Sequence, residues 1–512
     1  METHRPLNET DALSHQSGWI TRIANVRVLA LAAFLVGGAV VLADRPFTHA
    51  ERGDSSIFDY IAQSIVRGQV PYRDVIDLKG PGSMYLSAGA IAIGRFVGMR
   101  DIIAVRWSHV FLMGLLATIT FLVADAYFEN RLASILAVLI PFMTSSFSSQ
   151  VIRGTQPKLP MILFGMVSLL LVARNKPFWA GSFSMLSCLC WQPGLMFTGV
   201  AVLIFSRYLT TWRDSRALKV MLGAAVPLCV VLVYFSLKGA IGDLWSWTIV
   251  YPYRVFAPET SMPLRETFDN FWAVMHRELL PFPLIAPLAL AGLVIYVAAR
   301  VVRIITREEE ALSANLFRDA VVFPPLIYLT FCMINFQSAP DLIPFYPFIG
   351  LFGAWLIVEA GRLAGTAWLK LATLAPLAAM LAIIAMIVIE HTREPGDGAL
   401  PDQDREAQIV ASYLGLDDKI FSHGMAQVLV LLNKPNVTKY LTLADGTDNY
   451  IAAHKPGGFQ DVIDEIEMSA PKIIAISRLR NVRHRVELED WIDQHYDKLQ
   501  FANLDGIYIR KR

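Results

Sequence analysis

From about Val26 to Glu390 the chain alternates long apolar runs with short polar breaks. The runs fall at approximately 26–43, 82–99, 102–124, 132–148, 158–173, 178–206, 218–237, 281–300, 320–337, 341–358 and 371–390. A helix needs about 20 apolar residues to cross the hydrocarbon layer, where it satisfies its own backbone hydrogen bonds. One such run fits a buried core helix. A series of about eleven, with a range of roughly 10–13, predicts a polytopic α-helical membrane protein. From about 391 the pattern changes, as apolar density falls and charge rises. "KIFSHG" (419–424), "TKYLTLA" (438–444) and "PKIIAIS" (471–477) read as short buried strands. "FQDVIDEIEMSA" and "VELEDWIDQHY" read as amphipathic helices and "GIYIRKR" as a closing strand. This predicts a small α/β domain over 391–512, long enough for a modest core.

Composition supports the membrane class. Of 512 residues, 54% are hydrophobic and 17% charged, against about 25% charged in soluble proteins. The net charge of +1 gives no footprint for nucleic acid, which is not expected as a partner. Cys188, Cys190, Cys229 and Cys332 all lie in apolar runs, which argues against a disulfide framework or a zinc site. The first run lacks a small-residue cleavage site and reads as an uncleaved span after a cytoplasmic tail, 1–25. Basic loops mark the inner side. "RYLTTWRDSRALK" (207–219), "RVVRIITREEE" (300–310) and "GRLAGTAWLK" (361–370) fall there with the N-terminus. The loops 44–81 and 238–280 and the tail 391–512 then lie outside. The basic break "ARNKP" (173–177) fits badly, because an eleven-span count puts it outside. Dividing 178–206 at Gln192-Pro193-Gly194 into two short spans is the alternative.

The first outer loop carries the candidate chemistry. Ile57, Tyr60, Ile61, Ser64 and Ile65 share one helical face, and Asp54 stands where a helix N-cap is expected. Such a helix would lie on the membrane surface, ended by Gly68. Pro71 and Gly80-Pro81-Gly82 set turns around Tyr72, Arg73, Asp74, Asp77 and Lys79. On spacing alone, Asp54 is a cap or a functional carboxylate. Arg73, Asp74, Asp77 and Lys79 are an interfacial charge cluster or a substrate site, and Asp74 and Asp77 either pair with Arg73 and Lys79 or contact substrate directly. Tyr72 is an interfacial anchor or a platform for a sugar ring. Asp59 is a less distinct acid on the same helix. Within the third run, Arg106 and His109 are costly in lipid and so are functional candidates. Arg153 and Gln156 join them if 149–157 is outside. Arg254 and Arg265 stand in an aromatic-rich outer segment, 243–272. His423 and His454 read as hydrogen-bonded or surface residues, and Asn436-Val437-Thr438 as a chance sequon.

The stretch "GDSSIFDYIAQSIVRGQVPYRDVIDLKGPGSMYL" resembles the first extracytoplasmic loop of the GT-C membrane glycosyltransferases. The similarity is to the bacterial branch (glycosyltransferase family 39-like) related to protein O-mannosyltransferases and the lipid A aminoarabinose transferase. Asp54 matches the acidic position, Gly68 and Pro71-Tyr72-Arg73-Asp74 the middle, and Asp77-Leu78-Lys79-Gly80-Pro81 the end. "SAPDLIPFYPFIGLFGAWLI" (338–357) is similar to a late span of the family. Ser55 stands in place of a second acid, Gly80 in place of a proline, and Asp341 about where relatives carry His.

The resemblance implies a GT-C-like transmembrane catalytic domain (26–390) in the cytoplasmic membrane, with an extracytoplasmic C-terminal α/β domain (391–512). It implies transfer of a sugar from a polyprenyl-phosphate donor to a glycan, glycolipid or protein hydroxyl at the outer face. Asp54 would be the general base and would invert the anomeric carbon. Lys79, then Arg73, would neutralise the leaving phosphate, with Asp74, Asp77 and Tyr72 as further substrate contacts. No cofactor is certain, and a divalent metal stays open. The alternative is a transporter or flippase of lipid-linked sugars, which would use the same basic pocket without chemistry.

Overall fold

Polar caps set where several helices begin. Asn25 caps α1 (Val26–Ala43), its side chain accepting from the Arg27 amide at 3.1 Å. Asn130 caps α5 (Arg131–Leu139) through the Ala133 amide at 3.0 Å, and Ser215 caps α9 (Arg216–Leu237) through the Leu218 amide at 3.0 Å. Between them lie α2 (Gly53–Val66), α3 (Gly82–Phe96), α4 (Asp101–Phe128), α6 (Lys158–Ala173), α7 (Pro177–Cys190) and α8 (Leu195–Ser206). After α9 come α10 (Leu264–Glu278), α11 (Ile285–Ile305), α12 (Phe323–Asn335) and α13 (Tyr346–Leu363). The computed structural model describes residues 25–206, 215–305, 317, 319–363, scattered positions from 378 to 389, 399–477, 479–502 and 504–511. Residues 1–24 of the expected tail, most of the three basic loops and most of the span 371–390 lie outside the described residues.

Five of the described helices are long and apolar enough to cross a membrane: Val26–Ala43, Asp101–Phe128, Arg216–Leu237, Ile285–Val302 and Ala339–Leu363. Four shorter apolar helices accompany them, Arg131–Met143, Lys158–Ala173, Gln192–Ser206 and Phe323–Asn335.

Two of the apolar runs form something other than one long helix, and the second takes the divided alternative. The run 82–99 forms α3, only 15 residues long, and both of its ends lie on the same face of the bundle. At one end, Gly82 abuts Leu189 and Cys190. At the other, Arg95 pairs with Asp101 at 2.7 Å, and Asp101 accepts from Gln63 of α2 at 2.9 Å. Next to it, Arg100 pairs with Asp404 of the C-terminal domain at 2.7 Å. The helix lies along α2, with Ile93 and Phe96 exposed.

The run 178–206 is two helices, α7 and α8, folded back at a 3₁₀ turn, Gln192–Gly194. A Cβ on Gly194 would come within 2.5 Å of Ser187, so the reversal requires glycine. The hairpin returns the chain to the side where α7 began. The basic break 173–177 therefore shares a side with residue 206 and the basic loop after it, as its charge demands.

The C-terminal domain opens with α14 (Leu400–Ser412) and contains a four-stranded mixed sheet in the order β1-β2-β4-β3. Its strands are β1 (Ile420–His423), β2 (Ile473–Ile476), β3 (Tyr496–Leu499) and β4 (Ile507–Arg510). β1 and β2 are parallel, with Ile420 opposite Ile473, and the other pairs are antiparallel. Both parallel strands are buried throughout, as expected of strands covered on two faces. The expected helices form as α17 (Gln460–Ser469) and α18 (Arg485–His495), and α15 (Ala426–Leu432) and α16 (Thr447–His454) accompany them. The expected strand 438–444 does not form. It runs beside β1 through irregular bonds, including Gly424 N to Leu441 O at 2.8 Å and Leu443 N to His423 Nδ1 at 3.0 Å.

This domain and the first loop share their cores. Phe58, Tyr60 and Ile61 of α2 pack with Val428, Leu429 and Ile473, and Tyr72 and Ile76 pack with Tyr440 and Leu443. The Tyr60 hydroxyl accepts from the Asn436 amide at 2.7 Å, and Ile76 N donates to Lys439 O at 3.0 Å.

At the crossing of α7 and α9, a Cβ on Gly181 or Gly223 would come within 1.9 Å of Val220 O or Phe178 O. Small residues permit this approach. Gly181→Ala and Gly223→Ala should each cost about 1–3 kcal/mol, read as a lower melting midpoint in detergent. Gly89→Ala and Gly199→Ala, in helices with nothing within 4 Å, should leave the midpoint unchanged or raise it.

Candidate active site

On the face that carries the C-terminal domain, the helix ends surround a cavity of about 750 Å³. Its walls are the start of α2, Leu78 and Lys79, the 150–158 segment, the α7–α8 turn, the helical segment 248–257 and residues 331–341. A second compartment of about 160 Å³ adjoins it. The two share Gly53, Asp54, Phe58, Leu78, Lys79, Phe256 and Gln337 as a common wall. The far side of the smaller one is built by the C-terminal domain, with Thr442, Asp445, Thr447 and Asn481.

Asp54 lies on this shared wall. It is not the N-cap expected from the sequence. Arg52 occupies that position without a side-chain cap bond, and Asp54 stands in the first turn of α2. Gly53 begins the helix at φ +60°, a left-handed conformation open to glycine. The exposed carboxylate lies at the positive end of the helix dipole.

Lys79 is on the same wall. Its ammonium sits 4.7 Å above the Phe58 ring. Its backbone is held from both sides, its N–H donating to Asp77 Oδ2 at 3.2 Å and its carbonyl accepting from the Tyr72 hydroxyl at 2.7 Å. Asp77 lines the smaller compartment, and burial pushes its carboxyl above the usual range against the pull of Lys79.

The remaining first-loop candidates line neither compartment. Tyr72 is fully buried at φ +70°, its ring 5.5 Å from that of Phe235. It supports the Lys79 backbone and lies away from the surface. Arg73 binds Asp74 through two bonds of 2.8 and 2.9 Å and donates to Lys238 O at 2.8 Å. The Arg73 bonds hold the Asp74 carboxyl below its usual range.

Arg153 and Gln156 both line the larger cavity. Behind them Arg106 is fully buried, bonded to Glu51 Oε2 at 3.0 Å and to Pro46 O at 2.8 Å. His109 accepts from the Gln156 amide at 3.0 Å and faces Val105 O with Nδ1. It is a structural acceptor.

Arg254 and Arg265 are exposed and outside both linings. His423 is buried, and burial pushes it down to about 4, which keeps it neutral. His454 is exposed and bonded to Tyr450 O. The Asn436 side chain bonds Ser422 and Tyr440 within the domain.

Sequence reasoning missed Lys158. It pairs with Asp341 at 2.7 Å and stacks 4.8 Å from the Trp191 ring. Asp341 also accepts from the Gln337 and Ser338 amides at 2.8 and 3.2 Å. The available signal was two lone charges, each heading an apolar run. With that pair neutralised, the cavity presents Arg52, Lys79 and Arg153 against Asp54, an anion-attracting field. Among the described residues no three His, Cys, Asp or Glu side chains gather as a metal-ligand set.

The fold is that of the GT-C membrane glycosyltransferases. The chain is similar to ArnT from Cupriavidus metallidurans, with TM-score 0.59, 12% identity, and coverage of 96% of this chain and 98% of that one. It is also similar to an oligosaccharyltransferase from Archaeoglobus fulgidus, with TM-score 0.54, 10% identity, and coverage of 95% and 73%. In sequence it is 25% identical over 249 residues to a dolichol phosphate-mannose mannosyltransferase of Haloferax volcanii. That match covers 47% of this chain and 50% of the relative, so the chain spans about half the length of the curated relative it matches. No protein-family model matches.

Lys158→Met should leave Asp341 buried without its partner and cost about 3–5 kcal/mol, read as a lower melting midpoint. Adding Asp341→Asn should restore part of the loss, a coupling measured by a double-mutant cycle.

Proposed function

We propose that the protein transfers a sugar from a polyprenyl-phosphate donor to an acceptor hydroxyl at the outer face of the cytoplasmic membrane, with inversion. The observation that carries this is the shared wall, where Asp54 and Lys79 stand together between a cationic apolar cavity and a smaller polar compartment. The larger cavity suits the donor. Its aromatic and aliphatic walls accept the lipid and the sugar, and Lys79 and Arg153 meet the phosphate. The smaller compartment suits the acceptor. Thr442, Thr447 and Asn481 can bond hydroxyls, while Asp77 and Asp445 disfavour an anionic group.

In the reaction, the acceptor oxygen forms the new bond to the anomeric carbon and its proton passes to Asp54. The bond from that carbon to the phosphate oxygen breaks, and the phosphate leaves with the electron pair. Lys79 and Arg153 stabilise the charge that develops there. No step is routed through a metal.

We place eleven spans in the membrane: α1, α4, α5, α6, α7, α8, α9, α11, α12, α13 and the segment 371–390. Losing 82–99 and dividing 178–206 leaves the number unchanged. The site and the C-terminal domain then share the outer face with the first loop.

Purified protein given a labelled polyprenyl-phosphate sugar and acceptor should release polyprenyl phosphate. Asp54→Asn should slow this by about 10²–10⁴-fold, and Lys79→Met by about 10²–10³-fold. Near-normal transfer by Asp54→Asn would overturn the assignment, and movement of the intact donor across liposomes would identify a transporter instead.

A further inference from the structure

Behind the Asp54 turn lies a buried cluster that the proposed chemistry does not use. Glu51 and Arg106 are 0% exposed and Asp59 is 1% exposed. Each carboxyl has one partnered oxygen. Glu51 Oε2 accepts from Arg106 at 3.0 Å and Asp59 Oδ1 accepts from the Thr155 amide at 2.8 Å. Glu51 Oε1 and Asp59 Oδ2 are buried and meet no donor among the described residues. Both face the same point. A Cβ on Gly154, whose φ is +146°, would lie 2.5 Å from Asp59 Oδ2 and 3.1 Å from Glu51 Oε1.

The other charged groups around the pair turn elsewhere. Arg153 gives its carbonyl to Arg106 and lines the cavity, as do Arg52 and Asp54. His109, on the helix of Arg106, is spent on Val105 O and the Gln156 amide. Two buried acids thus share one guanidinium. Two bare carboxylates facing one buried point repel each other, and one proton between them removes the repulsion.

We propose that Glu51 and Asp59 share one proton between Oε1 and Oδ2. We propose further that this pair, anchored on Arg106, positions the Asp54 turn against the Arg153 segment, which meet where a Cβ on Gly154 would lie 3.1 Å from Ser55 Cβ. The geometry supports this role. Glu51 precedes Asp54 by three residues and Asp59 follows it by five, while Thr155 and Gly154 adjoin Arg153. Burial raises both carboxyls.

The sign follows from linkage. Folding binds a proton that the unfolded chain releases once pH exceeds the ordinary carboxyl range, so stability falls as pH rises toward the pair's own pKa. Loss of that proton loosens the site.

The test is infrared difference spectroscopy of the full-length protein in detergent, without donor. Wild type minus Asp59→Asn, and wild type minus Glu51→Gln, should each show one protonated-carboxyl carbonyl band at neutral pH, because each amide donates where the proton sat. Asp77, also raised by burial, cancels in the difference. The wild-type melting midpoint should fall toward alkaline pH, and the midpoint of Asp59→Asn should stay flat. The alkaline limb of the transfer rate should move upward in Asp59→Asn, with the acidic limb unmoved. Featureless difference spectra would overturn the shared proton. A midpoint in Asp59→Asn that tracks wild type across pH would overturn the positioning role. Should Asp59→Asn fail to fold, Glu51→Gln carries the same readings. The spectra and midpoints need no turnover, so they stand apart from the transferase assignment.

Discussion

The first loop is organised around the guanidinium of Arg106. A fully buried cation must be compensated where it stands, because taking it out of water costs several kcal/mol even after relaxation. Arg106 meets this by drawing Glu51 and the Pro46 carbonyl onto the end of α4. That fixes the chain just after α1. Glu51 is then held on its other side, its amide donating to Gln403 Oε1 at 2.8 Å and its carbonyl accepting from Gln403 Nε2 at 3.0 Å. One buried charge thereby ties the helix bundle, the Asp54 turn and the C-terminal domain together.

Most of the fold was legible because its strongest signals are long and one-dimensional. Apolar runs, Asn and Ser caps and basic breaks need no knowledge of tertiary contacts. The misreadings occurred where an apolar segment serves a different neighbour. α3 lies along α2, and nothing in its composition distinguishes that from spanning. The Gln192-Pro193-Gly194 turn was visible, but only the close approach of Gly194 to Ser187 shows that the helices fold back. β3 was missed because its sequence, Tyr496-Asp-Lys-Leu499, is that of a polar edge strand, with two of its four residues exposed.

The site was legible in part, for a related reason. Asp54 and Lys79 come from one loop, and their proximity is written in the sequence. Lys158 and Asp341 are far apart in the sequence, as are Arg106 and Glu51, and Thr155 and Asp59. Such pairs exist only after folding. A lone charge at the head of an apolar run is the trace they leave. Tyr72 shows the converse. It stands in the most suggestive stretch of the chain, yet it is buried and acts through the Lys79 carbonyl.

The shared wall places opposite demands on one short stretch. In the proposed reading Lys79 meets an anion in the larger cavity, while Asp54 on the same wall stays an acceptor. Phe58 separates these needs, because its ring face holds the ammonium without a counter-carboxylate. Asp77 contributes by bonding the Lys79 amide and leaving the ammonium alone. A direct Asp77–ammonium pair would consume the charge that a phosphate requires. The loop's other cation, Arg73, is consumed in this way by Asp74. The same four charges therefore divide into a structural pair and a working pair, and the division is set by which backbone groups the carboxylates cap.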